Sequence, residues 1–281
     1  MNCKSPSAVA ASLRDRFIGK PVMIDKRDLA KIVGRVVALE TGAFGFDFDS
    51  APARDKSYDV VAGVAVVPVQ GVLVHEQSLW GYWFGGETSY KRLASTLVEA
   101  MSDQAVRAVV LHVNSPGGEV SGCFDLVDGI YGLRGSKPIW SIVDEQACSA
   151  AYAIASAADR IVVPRTGETG SIGVVTQHID ITEALAKAGV KVSTIQFGAR
   201  KTDSYPTTAL SAEAQARLQA DVDAMGELFV ATVARNRKLS ATKVRGTEAA
   251  TFLGAGGVEQ GLVDAVMAPD AAFLSLLESL N

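Results

Sequence analysis

The sequence predicts an α/β fold in which a largely parallel sheet is flanked by helices. Three observations point there. Continuous apolar runs rich in β-branched residues recur along the chain, as strands buried on both faces require. Helical stretches separate them, which is the pattern of parallel sheets. The 281 residues, 48% hydrophobic and 21% charged, are ample for one sizeable core.

The elements follow in order. Residues 1–58 form an amino-terminal appendage and linker. In it, Lys20-Pro21-Val22-Met23-Ile24 leads to Asp25, an N-cap for a helix through Leu29, Ile32, Val33 and Val36. A softer segment follows, with 51–57 as the linker. The main domain, 59–268, opens with a strand over 60–69. It continues with a helix over 89–101, a strand over 108–113, a helix over 120–133 and a strand over 139–143. A helix begins near Ser149; strands are expected at 160–163, 174–179 and 191–197, with a helix at 182–188. From Ser211 as N-cap, Leu218, Val222, Met225, Phe229 and Val233 share one face of a helix to Arg237, roughly 40 Å long. Such a length suits a contact with another subunit. Residues 269–281 form a helical tail, and no internal repeat is found.

Composition narrows the function. Lys and Arg total 27 against 31 acidic residues, a net charge of −4 without like-charge blocks, so no nucleic-acid partner is expected. The most apolar stretch is about ten residues, against the roughly 20 of a membrane span, and residues 1–16 lack the apolar core of a secretory signal. No membrane partner is expected, and the chain is expected to stay in the compartment where it is made. Cys3, Cys123 and Cys148 are scattered and odd in number, as reduced thiols are, and no metal-ligand spacing occurs.

Reactive residues stand at strand-to-helix junctions. Asn114-Ser115-Pro116-Gly117-Gly118 places glycine amides where helical N–H groups lack partners, a site suited to an oxyanion hole or simply a tight turn. Ser149 is either an N-cap or a nucleophile whose developing oxyanion meets the amides of a helix start. Cys148 beside it reads as a packing thiol. Lys201, 52 residues on, is either a solvated loop residue or a base. As a base it must be neutral, which needs its pKa lowered by about three units, roughly 4 kcal/mol, by desolvation. Arg200 cannot do this. His75, His112 and His178 are the rival bases, none in an obvious relation to a reactive serine. Trp80, Trp83 and Phe84 form an aromatic cluster suited to core, subunit contact or substrate wall.

The order Asn-Ser-Pro-Gly-Gly, Ala147-Cys148-Ser149-Ala150-Ala151-Tyr152, Gly170-Ser171-Ile172-Gly173-Val174, Lys201 and Gly261-Leu262-Val263-Asp264 closely resembles the signal peptide peptidase A family of Ser–Lys serine peptidases. That resemblance implies the Clp protease and crotonase fold, with repeated β-β-α units. It implies Ser149 as nucleophile, Lys201 as general base, Ser171 as the hydroxyl orienting the lysine, and an oxyanion hole from Gly118 and Ala150, with Gly117 as an alternative donor. Gly170, Ile172, Gly173 and Val174 then form the edge that pairs with an extended substrate. Neither metal nor other cofactor is implied.

Where cellular members have Ser-Gly-Gly-Tyr this chain has Ser-Ala-Ala-Tyr, which resembles the phage branch, the head maturation proteases that process scaffold, portal or capsid proteins. The amino-terminal region points the same way. The long carboxy-terminal scaffold of some phage members is not found after Leu280, so either the scaffold is separate or this is a trimmed or cellular form. The resemblance implies protein substrates, a homo-oligomer, and the host cytoplasm or procapsid interior as location. The alternatives are a cellular signal-peptide-peptidase-like protease without an anchor, a crotonase-like acyl-CoA enzyme, and a non-catalytic assembly protein.

Overall fold

The computed structural model describes residues 20–24, 58–77 and 86–281. The helix expected after Asp25, the linker at 51–57, Cys3 and the Trp80, Trp83 and Phe84 cluster lie outside the described residues. The fold is α/β as expected: the described strands form one ten-stranded, mostly parallel sheet.

The first apolar run is a hairpin rather than one strand. Strand β1 is Val22–Ile24; β2, Asp59–Val61, turns back antiparallel onto β3, Val64–Val74. Ala62 and Gly63, at φ 50° and 78°, make the two-residue turn, whose left-handed residues match the twist of the flanking strands. Uninterrupted valines on both sides hide this turn from a reading by periodicity.

After β4, Glu87–Ser89, helix α1 covers Tyr90–Ser102, and the Ser89 hydroxyl accepts the Arg92 amide at 3.4 Å as its cap. Strand β5 spans Ala108–Glu119 and β6 Ile139–Cys148, both longer than the apolar runs that signal them, with helix α2, Cys123–Gly132, between. Helix α3, Ala150–Ser156, follows directly, then β7, Arg160–Val163, as expected, and β8, Glu168–Gly170. The strands expected at 174–179 and 191–197 do not form; between α4, Thr182–Lys187, and α5, Ala212–Arg237, the chain is irregular and exposed. The carboxy-terminal part holds α6, Ala241–Arg245, β9, Thr251–Leu253, α7, Gly254–Glu259, β10, Ala265–Val266, and α8, Pro269–Ser279.

The sheet runs β10-β7-β6-β5-β3-β2, with β4 on β3, β1 on β5, and β8 between β6 and β9. Alternate residues of β5 face opposite sides. Val109, Leu111 and Val113 join a core with Leu97 of α1, Ile130 of α2, Ile154 of α3 and Phe229 of α5, whereas Ala108 and Val110 pack under Ala272 and Leu276 of α8. The tail helix therefore covers one face of the sheet. Apart from Ala214 in its first turn, α5 is deeply packed at its carboxy-terminal end, through Phe229, Val230 and Val233.

Candidate active site

The site lies where two parallel strands part. β5 and β6 pair from Val109↔Ile139 to Ser115↔Ala147, next to the end of β6; β8 pairs with Gln146–Cys148 on the other edge of β6, and β5 runs on beside β3. Such a split at the carboxyl ends of strands is where open α/β sheets place their ligands.

Ser149 sits at the head of the split, between β6 and α3. Its backbone, at φ 55° and ψ −122°, is left-handed, which is costly for a residue with a β-carbon. The conformation is held by its own amide donating to the Gly170 carbonyl at 2.8 Å and by its carbonyl accepting the Ala153 amide at 3.0 Å. Although it occupies the N-cap position, its side chain makes no capping bond, and its buried hydroxyl has no hydrogen-bond partner among the described residues. The N-cap alternative is thereby removed. An unsatisfied buried hydroxyl normally costs about 1–3 kcal/mol, so this side chain adds nothing to stability through hydrogen bonding. Ala150, the first residue of α3, carries one of the helix amides without an intrahelical acceptor.

Gly117 and Gly118 lie in β5, not in a strand-to-helix turn, because backbone crowds them from both sides. A β-carbon on Gly118 would fall 1.8 Å from the Leu73 carbonyl oxygen. One on Gly117, at φ 108°, would fall 2.2 Å from the Met23 carbonyl oxygen and 3.0 Å from both the Ser149 β-carbon and the Cys148 carbonyl oxygen. Only glycine permits this approach of β5 to Ser149. Ser115, which the sequence did not mark as functional, ties the segment down: its hydroxyl donates to the Gly71 carbonyl at 2.7 Å and accepts the Gly117 amide at 3.1 Å. The signal was a serine two residues before a glycine, the usual spacing of such side-chain turns.

The far wall is the segment after β8. Gly170 pairs with Cys148 and Thr251, and the Ser171 amide donates to the Ala250 carbonyl at 2.9 Å, with Ser171 itself left-handed at φ 53°. Ile172 is buried, Gly173 packs against Ala249, and Val174 rests on the core.

Helix α3 is fixed from its other end by groups the sequence did not single out. The Arg134 guanidinium donates to the Ser156, Ala157 and Ala158 carbonyls at 2.9, 2.8 and 2.6 Å. It thus collects the orphan acceptors of the helix terminus, and its burial lowers its pKa from the ordinary value. Asn236 of α5 donates to the Ser156 hydroxyl at 2.9 Å. The Gly261-Leu262-Val263-Asp264 motif serves the same helix. The Tyr152 hydroxyl donates to the Leu262 carbonyl at 2.8 Å, while Asp264 accepts two bonds from Arg237 and the Ile161 amide at 2.7 Å. Burial raises the Tyr152 pKa, so the phenol stays a donor.

Lys201 is not brought to Ser149 in the single chain. It is exposed, within a stretch from Gly173 to Glu213 that has no buried residue, and it makes no bond to the Ser149 hydroxyl. No histidine takes its place at that hydroxyl either: His112 lies on β5 near Gln70, and His75 and His178 hold buried ring nitrogens without partners among the described residues. Cys148 is buried, its thiol directed at the Glu168 carbonyl at 4.0 Å, and desolvation pushes the neighbouring Cys123 up to about 12. Both suit packing thiols. Among the described residues no cluster of His, Cys, Asp and Glu could hold a metal ion, and no helix is long and apolar enough to cross a membrane. A cavity of about 430 Å³ lies between α1 and α2, lined by Leu97, Leu126 and Ile130, away from Ser149.

Residues 133–281, which include Ser149, Ser171 and Lys201, match the model of peptidase family S49. The chain is 43% identical over 231 residues to the head-tail preconnector protein GP5 of Enterobacteria phage P21, covering 82% of this chain and 45% of that protein. It is 36% identical over 245 residues to capsid assembly protease C of Escherichia phage lambda, covering 87% and 55%. To Protease 4 of Haemophilus influenzae it is 31% identical over 250 residues, covering 86% and 39%. The chain spans about half the length of the curated relatives it matches. With a parallel sheet that parts around a strained serine, and with more than half of its length matched by the family model, the chain belongs to peptidase family S49.

Proposed function

We propose that the chain is a serine endopeptidase that uses a Ser–Lys dyad and processes scaffold, portal or capsid proteins during phage head maturation. The observation that carries this is Ser149: a left-handed, buried serine whose hydroxyl has no partner among the described residues, at a helix start and beside Gly117, where no β-carbon fits. The phage assignment is supported by the names of two relatives, a preconnector protein and a capsid assembly protease. On this reading the substrates are proteins of the assembling head, and the enzyme acts in the host cytoplasm or the procapsid interior.

Lys201 takes the proton of Ser149 as its oxygen attacks a peptide carbonyl, with Ser171 orienting the amine. The amides of Gly118 and Ala150, or Gly117 in place of Gly118, receive the tetrahedral oxyanion. Gly170, Ile172, Gly173 and Val174 align the substrate as an added strand. A water activated by the same lysine then releases the acyl group. In the single chain Lys201 is exposed, so the stretch that carries it must pack before it acts as a base. A homo-oligomer supplies that surface. Packing also provides the desolvation that a neutral lysine needs.

The test is cleavage of co-expressed portal and scaffold proteins by the full chain. Ser149→Ala and Lys201→Ala are each expected to abolish it, a loss of at least 10³-fold, while the chain remains folded. Undiminished cleavage in either variant removes that residue from the dyad.

A further inference from the structure

We infer that the amino-terminal strand β1 is an internal occupant of the substrate groove, a pseudosubstrate that closes the site in cis until it is displaced. This rests on the reading of Ser149 as the nucleophile for what the groove is. The placement of β1 stands on its own geometry.

β6 ends at Cys148 while β5 runs on to Glu119, and β1 takes the edge of β5 beyond the last β5–β6 pair, Ser115↔Ala147. Val22, Met23 and Ile24 pair antiparallel with Glu119, Gly118 and Gly117 on one side. On the other, Val22 exchanges two hydrogen bonds with Val175, its amide donating at 2.8 Å and its carbonyl accepting at 3.0 Å. β1 therefore spans from the proposed oxyanion strand to the segment just after Gly170-Ser171-Ile172-Gly173-Val174, as a third strand between two edges. That is the way an extended peptide adds to an exposed sheet edge, with main-chain bonds giving affinity and side-chain pockets giving selectivity.

The pockets are filled. Val22, Met23 and Ile24 are 1%, 0% and 4% exposed. The Met23 carbonyl oxygen and the Ser149 β-carbon lie 2.2 and 3.0 Å from the same point, the position a Gly117 β-carbon would take. The strand thus runs directly past the nucleophile. The Ser149 hydroxyl nevertheless has no partner among the described residues, β1 included, so no carbonyl of β1 is engaged by it and the strand lies alongside rather than in position for attack. A tethered occupant competes at an effective concentration of about a millimolar, enough to exclude free peptides of ordinary affinity. Displacement would leave open backbone edges and a groove that accepts an extended segment with medium-sized apolar side chains.

The experiment compares the full chain with Val22→Pro, which removes the amide that donates to Val175, and Met23→Asp, which places a charge where methionine is buried. A fluorescein-labelled synthetic peptide, Lys-Pro-Val-Met-Ile-Asp-Lys, is titrated into each, and Ser149 is challenged with a serine-directed phosphonate. Both variants are expected to fold cooperatively, to bind the peptide at least ten-fold more tightly than the parent chain, and to label at least ten-fold faster. Equal binding by all three overturns the inference. So does loss of cooperative folding in both variants, because β1 would then be a core strand. Tighter peptide binding without labelling of any chain upholds the occupied groove and removes Ser149 as nucleophile.

Discussion

Ser149 holds a backbone conformation that costs a residue with a β-carbon about 1–3 kcal/mol, and its buried hydroxyl has no partner among the described residues. Neither serves stability, and both can be relieved by one change. Ser149→Gly is expected to raise the free energy of unfolding by about 1 kcal/mol while abolishing cleavage, since left-handed φ is free for glycine and the unsatisfied hydroxyl is removed. Urea denaturation of the two chains checks this. A fall in stability would show that the serine side chain is a structural group.

Cys123 titrates with the opposite consequence. Desolvation first, opposed by a hydrogen bond with Tyr90, raises its pKa to about 12 in the folded chain, whereas an exposed thiol ionises near 8.5. The unfolded state therefore loses the proton first, so the stability present at neutral pH declines as pH rises between those values. Burial raises Tyr90 and Tyr152 as well, and their contributions, of the same sign, begin near pH 10. From pH 8.5 to 10 the Cys123 thiol contributes a loss of about 1.5 kcal/mol. Cys123→Ala is expected to flatten the stability curve over that interval, as measured by denaturation at a series of pH values.

Among elements, α3 decides whether the serine is positioned. It has only seven residues, too short to be stable alone, so its orientation depends on what holds its two ends. At the carboxyl end a single guanidinium meets carbonyls of three consecutive residues and stacks 4.5 Å from the Tyr131 ring, an arrangement that a point-charge ammonium does not reproduce. Arg134→Lys is expected to cost about 2–3 kcal/mol in denaturant unfolding and to lower activity further by tilting α3. A change under about 0.5 kcal/mol would mean that the α5 contact through Asn236 suffices.

The same elements mark how much of the fold and site could be read in advance. Helix α1 was legible as a helical run starting near Ser89, α5 because Ser211 caps a long run with apolar residues on one face, and the residues that build the serine turn were legible as a motif. Strand β8 was not. It has three residues, Glu168, Thr169 and Gly170, and exists because β6 and the distant β9 present edges on either side. Conversely, Lys191, Val192, Ser193, Thr194, Ile195, Gln196 and Phe197 are rich in the β-branched and aromatic types that strands favour, yet stay irregular because they pair with no edge among the described residues. Glycine and proline read as strand breakers, so the extension of β5 through Pro116, Gly117 and Gly118 was hidden. It forms because the bulge between Val113 and Ser115 and the approach of β1 and β3 require those residues.

At the scale of the whole molecule, the single chain leaves apolar groups uncovered in one region. Ile195 is 99% and Phe197 100% exposed, Val190, Val192 and Tyr205 are roughly half exposed, and the amino-terminal part of α5 beyond Ala214 projects with little of its surface buried. Isolated exposed apolar residues are ordinary, but five within sixteen residues of one stretch resemble an interface. That stretch also carries Lys201, the group the proposed chemistry requires to be desolvated. If the stretch packs against a second copy, assembly and activation are one event, and breaking the contact removes both. Phe197→Asp is expected to shift the mass of the full chain in light scattering from an oligomer to a monomer and to lower cleavage by at least 100-fold. Its unfolding midpoint at monomeric concentrations should stay unchanged, because the substituted side chain touches nothing in the chain itself. An unchanged mass with full activity would mean that Lys201 reaches Ser149 within one chain.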